Sequence, residues 1–373
     1  MLNRRTLLAT LAATPALTLT RQSRAATLSA RLPVSVALKS EIPCNGVAVD
    51  RDGALFADLP RASRDMVTPS VVRVQADGTL TPFPGNAWTA WKPGDDGRDS
   101  FVATNSVHTF GDGTLWVVDK GTPDTNPAPG AQKLVQFGCA DGSVRQVIRF
   151  DDQILPPGAQ MNDLRVWDGT IYVSDSGLGG LIVHDLRTGK SLRRLSGAAI
   201  MRQDGTHMQR GLHRRPLQDA QGHEATVQTD LIEVSPDGPW LFFAVPTGPR
   251  RRVRTALLRD ASVSDAALEA QIETVAAIPT LAGTCIDTLG NLYLSDNEAG
   301  RILVLAPDGR RRTLFSDPRV ITPDALFIDA KRHLYIPCPQ GEFSPGNNHG
   351  RNETHPPFLV LRVALPHALD GVA

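Results

Sequence analysis

The chain has 373 residues, with 39 Lys and Arg against 39 Asp and Glu, a balance that offers no electrostatic footprint for nucleic acid or for a polybasic membrane contact. That length can bury a sizeable core in one large all-β domain or in two ordinary ones. With 32 Gly and 28 Pro, many turns are favoured over long helices, and Arg250-Arg251-Arg252 and Arg310-Arg311-Arg312 read as solvated turns.

In chain order, the first feature is Arg4-Arg5 ahead of an apolar stretch from Thr6 to Thr20, then small residues at Ser23-Arg24-Ala25. This predicts a twin-arginine export signal over residues 1–25, a folded domain over residues 26–373, and a periplasmic or secreted destination. The stretch is too short and too rich in Thr to span a bilayer, so no stable membrane insertion is expected after cleavage. Losing residues 1–25 removes Arg4, Arg5, Arg21 and Arg24 and no acid, which leaves the mature chain mildly acidic.

After "LPVSVALKS", a strand-like run with no partner of its own, one pattern recurs six times. It is "NGVAVDRDGALFADLP" from Asn45, "NSVHTFGDGTLWVVDKG" from Asn105, "MNDLRVWDGTIYVSDSG" from Met161, "DLIEVSPDGPWLFFAVPTG" from Asp230, "AGTCIDTLGNLYLSDNEAG" from Ala282 and "DALFIDAKRHLYIPCPQG" from Asp324. In each copy two short alternating runs flank a turn, Asp-Gly in four of them. Further strand-like pairs follow, such as "KLVQFG" with "SVRQVIRF" and "RILVLAP" with "RRTLFSD". A four-stranded unit repeated six times predicts an all-β, six-bladed β-propeller, one domain rather than two. The last copy runs out after "FLVLRVA", so the N-terminal "LPVSVALKS" is expected to close the final blade and remove two sheet edges. A helix over Ser264 to Val275, capped by Ser264 and Asp265, is expected as a surface decoration.

Aligning the copies on their turns puts Asn45, Asn105, Asn162, Asp230, Ala282 and Asp324 at one position, the start of each innermost strand. In a propeller these side chains converge at one mouth of the central channel. Asn and Asp are poor strand formers, so two readings stand: each caps a local turn, or their oxygens form a ring for a hard cation or the polar end of a ligand. Asp119, Asp175 and Asp296, at the ends of the second strands, are expected beside that ring, and Asp119 and Asp175 are expected to orient it rather than bind a ligand. Cys44, Cys139, Cys285 and Cys338 lack CxxC spacing and a nearby His pair, against a zinc site; Cys285 reads as core, and a Cys44 to Cys338 bridge stands as an alternative to free thiols. The long connections 198–228, with His207, His213 and His223, and 339–357, with His349 and His355, are candidates to fold over the mouth. Trp88 and Trp91 either stack on an aromatic ligand or pack. No Gly-rich phosphate loop, Ser nucleophile elbow or HExxH motif is present, and no organic cofactor is indicated.

Taken together and in order, "NGVAVDRDGALFADLPR", "LTPFPGNAWTAW", "SVHTFGDGTLWVVDKGTP", "QKLVQFGCADGSVRQVIRF", "MNDLRVWDGTIYVSDSGLGGLIVHDLRTGKSLRRL" and "LIEVSPDGPWLFFAVP" resemble the yellow and major royal jelly protein family of six-bladed propellers. The resemblance implies a channel that takes small molecules: insect members are linked to pigment chemistry, including dopachrome tautomerisation, and some salivary members bind aromatic amines. A more distant likeness is to the gluconolactonase and senescence-marker-protein propellers, which hold one divalent cation at the channel mouth. That likeness implies Asn105, Asn162 and Asp230 as metal ligands, for calcium or another divalent cation, while Asn45 stands where that family has a Glu. The expectation for function is an exported propeller that binds a small cyclic or aromatic molecule through Asn45, Asn105, Asn162, Asp230 and Asp324, with or without tautomerase-type chemistry. One alternative is a metal-dependent lactonase in which the metal polarises the carbonyl and Asp230 activates water. The other is a non-catalytic structural or partner-binding propeller.

Overall fold

The computed structural model describes residues 32–124 and 126–366, so the export signal expected over residues 1–25 lies outside the described residues. Six four-stranded antiparallel sheets form the blades. From the axis outward, blade 1 is Gly46–Val49, Leu55–Leu59, Ser70–Val74 and Leu80–Pro82. Blade 2 is Thr104–Thr109, Thr114–Asp119, Lys133–Gly138 and Val144–Ile148. Blade 3 is Met161–Trp167, Thr170–Asp175, Leu181–Asp185 and Ser191–Arg194. Blade 4 is Leu231–Val234, Trp240–Ala244, Arg250–Arg254 and Glu273–Ala276. Blade 5 is Thr284–Ile286, Leu292–Asp296, Arg301–Leu305 and Arg311–Ser316. Blade 6 takes Phe327–Ile328, His333–Cys338 and Phe358–Ala364 from the end of the chain and Val34–Ser40 from its beginning.

Each inner strand touches the inner strands of both neighbouring blades, and a parallel bridge from Gly46 to Ala325 joins blades 1 and 6. Because each sheet is covered on both faces, the main core is divided into six apolar clusters, one between each pair of neighbouring blades. Phe56 and Val71 of blade 1 thus meet Leu115 and Phe137 of blade 2, and Leu231 and Ala244 of blade 4 meet Leu292 and Leu294 of blade 5. The hairpins follow their turn chemistry. Asp168 and Gly169 both hold positive φ, 46° and 67°, which suits a two-residue hairpin of primed type. In the sixth copy Arg332 adopts φ 61° where the first five have Gly.

The expected helix over Ser264–Val275 is corrected. The helix spans Asp265–Glu269, with Ser264 Oγ accepting from the Ala267 N–H at 3.2 Å. The chain then turns, and Glu273–Ala276 becomes the outer strand of blade 4. Thr274 and Val275 are β-branched and suit a strand, and Glu273 pairs with Arg252 across the sheet at 2.6 Å. The helix is also more than decoration, since Leu268 is buried in the cluster between blades 3 and 4.

Candidate functional site at the two ends of the channel

The ring expected from the repeat alignment forms at one mouth, called here the upper mouth. Asn45, Asn105, Asn162, Asp230, Ala282 and Asp324 all line one cavity of about 20 Å³, the space of one ion or water. Bulges put two of them there: pairing skips a residue between Thr104 and Ser106, at Asn105, and between Met161 and Leu164, at Asn162 and Asp163. A bulge re-aims a side chain out of the pleat and relieves an Asn of strand geometry. Asn45 Nδ2 donates to the Asn105 carbonyl at 2.9 Å, and Asn105 Nδ2 donates to the Asn162 carbonyl at 3.1 Å. The amide hydrogens of blades 1 and 2 are thus turned onto the next blade, and the Oδ1 atoms are left for the channel.

Asp230 and Asp324 face this space with no basic side chain against either carboxylate among the described residues. Burial pushes the Asp230 carboxyl up to about 8, with the Asp163 charge adding to it. Burial, then the Asp230 charge, pushes Asp324 well above the usual range. Two unpaired carboxylates beside free amide oxygens fit a hard cation by donor type. No group of three or more His, Cys, Asp or Glu side chains spaced to hold a metal occurs among the described residues, so such an ion would rest on two acids and neutral oxygens.

Asp119, Asp175 and Asp296 lie at the same end; Asp119 and Asp175 bond the loops that lead into the inner strands of blades 2 and 3, and Asp296 bonds the start of the third strand of its own blade. Asp119 accepts from the Val102, Ala103 and Gly121 N–H groups and from the fully buried Lys133 ammonium at 2.7 Å. Asp175 accepts from the Gln160 and Gly177 N–H groups and pairs with Arg193 at 2.5 Å. Asp296 pairs with Arg301 at 2.7 Å. The contacts of Asp119 and Asp175 fix the backbone just ahead of Asn105 and Asn162.

The two long connections pack together on this face. Gln218 bridges to Asn348, the Leu212 N–H donates to Glu342 at 2.6 Å, and the Gln228 N–H donates to the Ser176 carbonyl at 3.0 Å. The His213 backbone N–H donates to the Glu298 carbonyl at 2.9 Å, and the Arg210 backbone N–H donates to Thr280 Oγ1 at 3.2 Å. The result is a strap anchored on blades 3, 5 and 6. His207 and His223 sit on its exposed side, paired with Asp204 and Asp219. Trp88 and Trp91 are buried packing residues: Trp88 meets Phe101 and Phe137 at ring separations of 5.4 and 5.5 Å, and Trp91 lies under Arg61. All four cysteines are buried free thiols.

The larger space is at the opposite, lower end of the channel, a pocket of about 360 Å³. It is lined by the ends of the inner strands of blades 2 to 6, with Phe110, Trp167, Phe327 and Ile328 among its walls. Its floor is charged. Arg165 makes a two-pronged pair with Glu233, Nε to Oε2 and Nη2 to Oε1 both at 2.8 Å, and Nη1 donates to Asp163 Oδ2 at 2.7 Å. His108 Nε2 lies 2.7 Å from Asp163 Oδ1, and its ring stacks near Phe110 and Phe327. Burial pushes the Asp163 carboxyl up, but Arg165 and His108 outweigh it and hold the group well below the usual carboxylate range. Asp163 and Glu233 face Arg165 and the fully buried Arg250, whose charge acts on Glu233, and Asp287 on the same lining pairs with Arg332 at 3.6 Å, so these fixed charges balance before His108 takes a proton.

None of His108, Asp163, Arg165 and Glu233 stood among the expected site residues. A signal for three of them was present: the position three after each ring residue reads Ala48, His108, Arg165, Glu233, Cys285 and Phe327, a second level of the same channel. Cys285 is no ready nucleophile there, because burial pushes its thiol well above the ordinary value.

Comparison with known proteins agrees with this architecture. A family model described as "Major royal jelly protein" matches residues 111–317, more than half of the chain. Among solved structures, the chain is similar to a gluconolactonase from Xanthomonas campestris at 16% identity, covering 91% of this chain and 93% of that one with a TM-score of 0.55. It is also similar to regucalcin, a calcium-binding protein from Agrobacterium tumefaciens, at 15% identity, covering 88% and 94% with a TM-score of 0.53. At such identities the likeness is one of fold. No curated protein gives a significant match.

Proposed function

The chain belongs to the major royal jelly protein family, and from that premise we propose that it binds a small cyclic or aromatic molecule in the lower pocket of its channel. The observation that carries this reading is a space of about 360 Å³ with aromatic walls and a fixed polar floor, the usual make-up of a small-molecule site. The Glu233 and Asp287 carboxylates on its lining can accept from a ligand that joins an aromatic ring to an ammonium or another donor. The same floor holds groups able to move a proton, in keeping with tautomerase-type chemistry. Calorimetric titration with tyramine tests the binding. Saturable binding is expected, weakened at least about tenfold by Phe327→Ala through lost ring contact; a flat titration with the wild type would sink this reading.

A second role, divalent cation binding at the upper ring, is favoured by Asp230 and Asp324, which lack a basic partner among the described residues. Asn45, Asn105, Asn162, Asp230 and Asp324 would hold the ion, and bound there it would supply positive charge to the two acids. Calcium titration of the chelator-stripped protein is expected to show saturable binding that Asp230→Ala abolishes, and absence of binding in the wild type would remove the cation from the account. Lactone hydrolysis at this ring is less well supported, because about 20 Å³ leaves no room for an ester beside an ion.

A further inference from the structure

We propose that the floor of the lower pocket is a proton-transfer site, with His108 as its acid–base residue, acting on a ring-bearing carbonyl compound that carries an acidic hydrogen next to the carbonyl. The inference rests on the reading of that pocket as the ligand site and of its chemistry as tautomerase-type, and adds to it the acid–base residue and the class of substrate.

The geometry assigns the roles. His108 Nε2 is 2.7 Å from Asp163 Oδ1, so an Nε2–H donated to this carboxylate leaves the Nδ1 lone pair as the base. Arg165 Nη1 also lies near, 2.9 Å from His108 Nε2, but its hydrogens go to Asp163 Oδ2 and the Leu164 carbonyl, both at 2.7 Å. No hydrogen bond to the protein occupies Nδ1 among the described residues, and His108 lines the pocket. Asp163 is itself held by the Leu164 N–H at 2.8 Å and by Arg165 at 2.7 Å, which makes it a positioning residue. Arg165 also lines the pocket, and Glu233 takes one of the two hydrogens on its Nη2, which leaves a charged donor for oxygen. The charged groups around the imidazole are therefore Asp163 and Arg165 from blade 3, with Glu233 of blade 4 behind Arg165; Phe110 and Phe327 supply its aromatic neighbours.

The reaction closes without an oxidant, reductant or cofactor. His108 Nδ1 takes a proton from the carbon beside the carbonyl, the C–H electron pair becomes a C=C bond, and the carbonyl π pair moves onto oxygen near Arg165. The imidazolium then returns a proton to that oxygen or to a carbon of the conjugated system, which yields the tautomer. A base that holds its proton between these steps can also exchange it with solvent.

Proton NMR in D2O with 2-indanone, a neutral bicyclic ketone, reads binding and chemistry in one sample. Saturation-transfer signals report binding, and decay of the hydrogens next to the carbonyl reports exchange. The wild type is expected to bind and to accelerate exchange over buffer, and His108→Gln to bind while losing at least about 100-fold of that acceleration. Asp163→Asn keeps a hydrogen-bond acceptor without the charge and is expected to slow exchange with binding unchanged. Binding without acceleration in the wild type would overturn the proton-transfer role and leave the binding site standing, as would full acceleration in a His108→Gln protein that still binds. Failure of the wild type to bind both 2-indanone and tyramine would overturn the pocket reading together with this one.

Discussion

Asp230 makes the channel mouth sensitive to pH. Its carboxyl rises to about 8 and that of Asp58, buried beside Thr104, to about 7, both for burial first. A carboxyl raised in the folded state is protonated there while its unfolded counterpart is ionised, so the folded state binds more protons and stability falls as pH rises. That contribution is fully present below the ordinary Asp range and is lost from roughly pH 4 up to about 8, at roughly 1.4 kcal/mol per unit of displacement before channel water lessens it. Thermal melts of the metal-free protein are expected to drop across this window, and Asp230→Asn to flatten the drop. Calcium at the ring would favour the ionised acids, so its stabilising effect is expected to grow with pH.

At the scale of elements, each polar side chain on the channel depends on a structural device outside it. The bulges in the inner strands of blades 2 and 3 turn Asn105 and Asn162 toward the axis, and Asp119 holds the loop that enters the first of them. Asp119 and Lys133 are fully buried, so Asp119→Asn would leave an ammonium uncompensated and is expected to cost about 3–5 kcal/mol, read by urea denaturation. The bulge of blade 3 serves both ends of the channel: Asn162 lines the ring, and the next residue, Asp163, holds His108 and Arg165. The expected helix over Ser264–Val275 misjudged an element for a related reason. Helix signals at Ser264 and Asp265 were sound locally, but the open edge at Arg250–Arg252 recruits Glu273–Ala276, and edge pairing wins over helix propensity.

For the molecule as a whole, closure of the ring depends on the strand Val34–Ser40 on the outer edge of blade 6. It pairs along Phe358–Ala364 from Ser40↔Phe358 to Val34↔Val363 and buries Leu38 against blades 6 and 1. A chain lacking residues 32–40 is expected to lose at least the value of one buried Leu, about 2–5 kcal/mol. It would also expose a strand edge that promotes association. Thermal melting with size-exclusion chromatography would show both effects; an unchanged melt and a single monomer peak would mean that the closing strand is dispensable.

The six blades, the closing N-terminal strand and the alignment that groups Asn45, Asn105, Asn162, Asp230 and Asp324 were legible in the residues alone. These follow from local turn chemistry and strand alternation, which repeat at a readable period, so that one alignment superposes equivalent positions. What those positions enclose depends on how the blades pack around the axis. Asp163 and His108 are 55 residues apart, and Arg165 and Glu233 are 68 apart; they meet because adjacent blades bring their inner strands together. The volumes at the two mouths, about 20 Å³ and about 360 Å³, are set by the curvature of the closed ring and by the side chains of several blades at once. No stretch of one blade carries that information, because a cavity is a property of the surfaces that face one another.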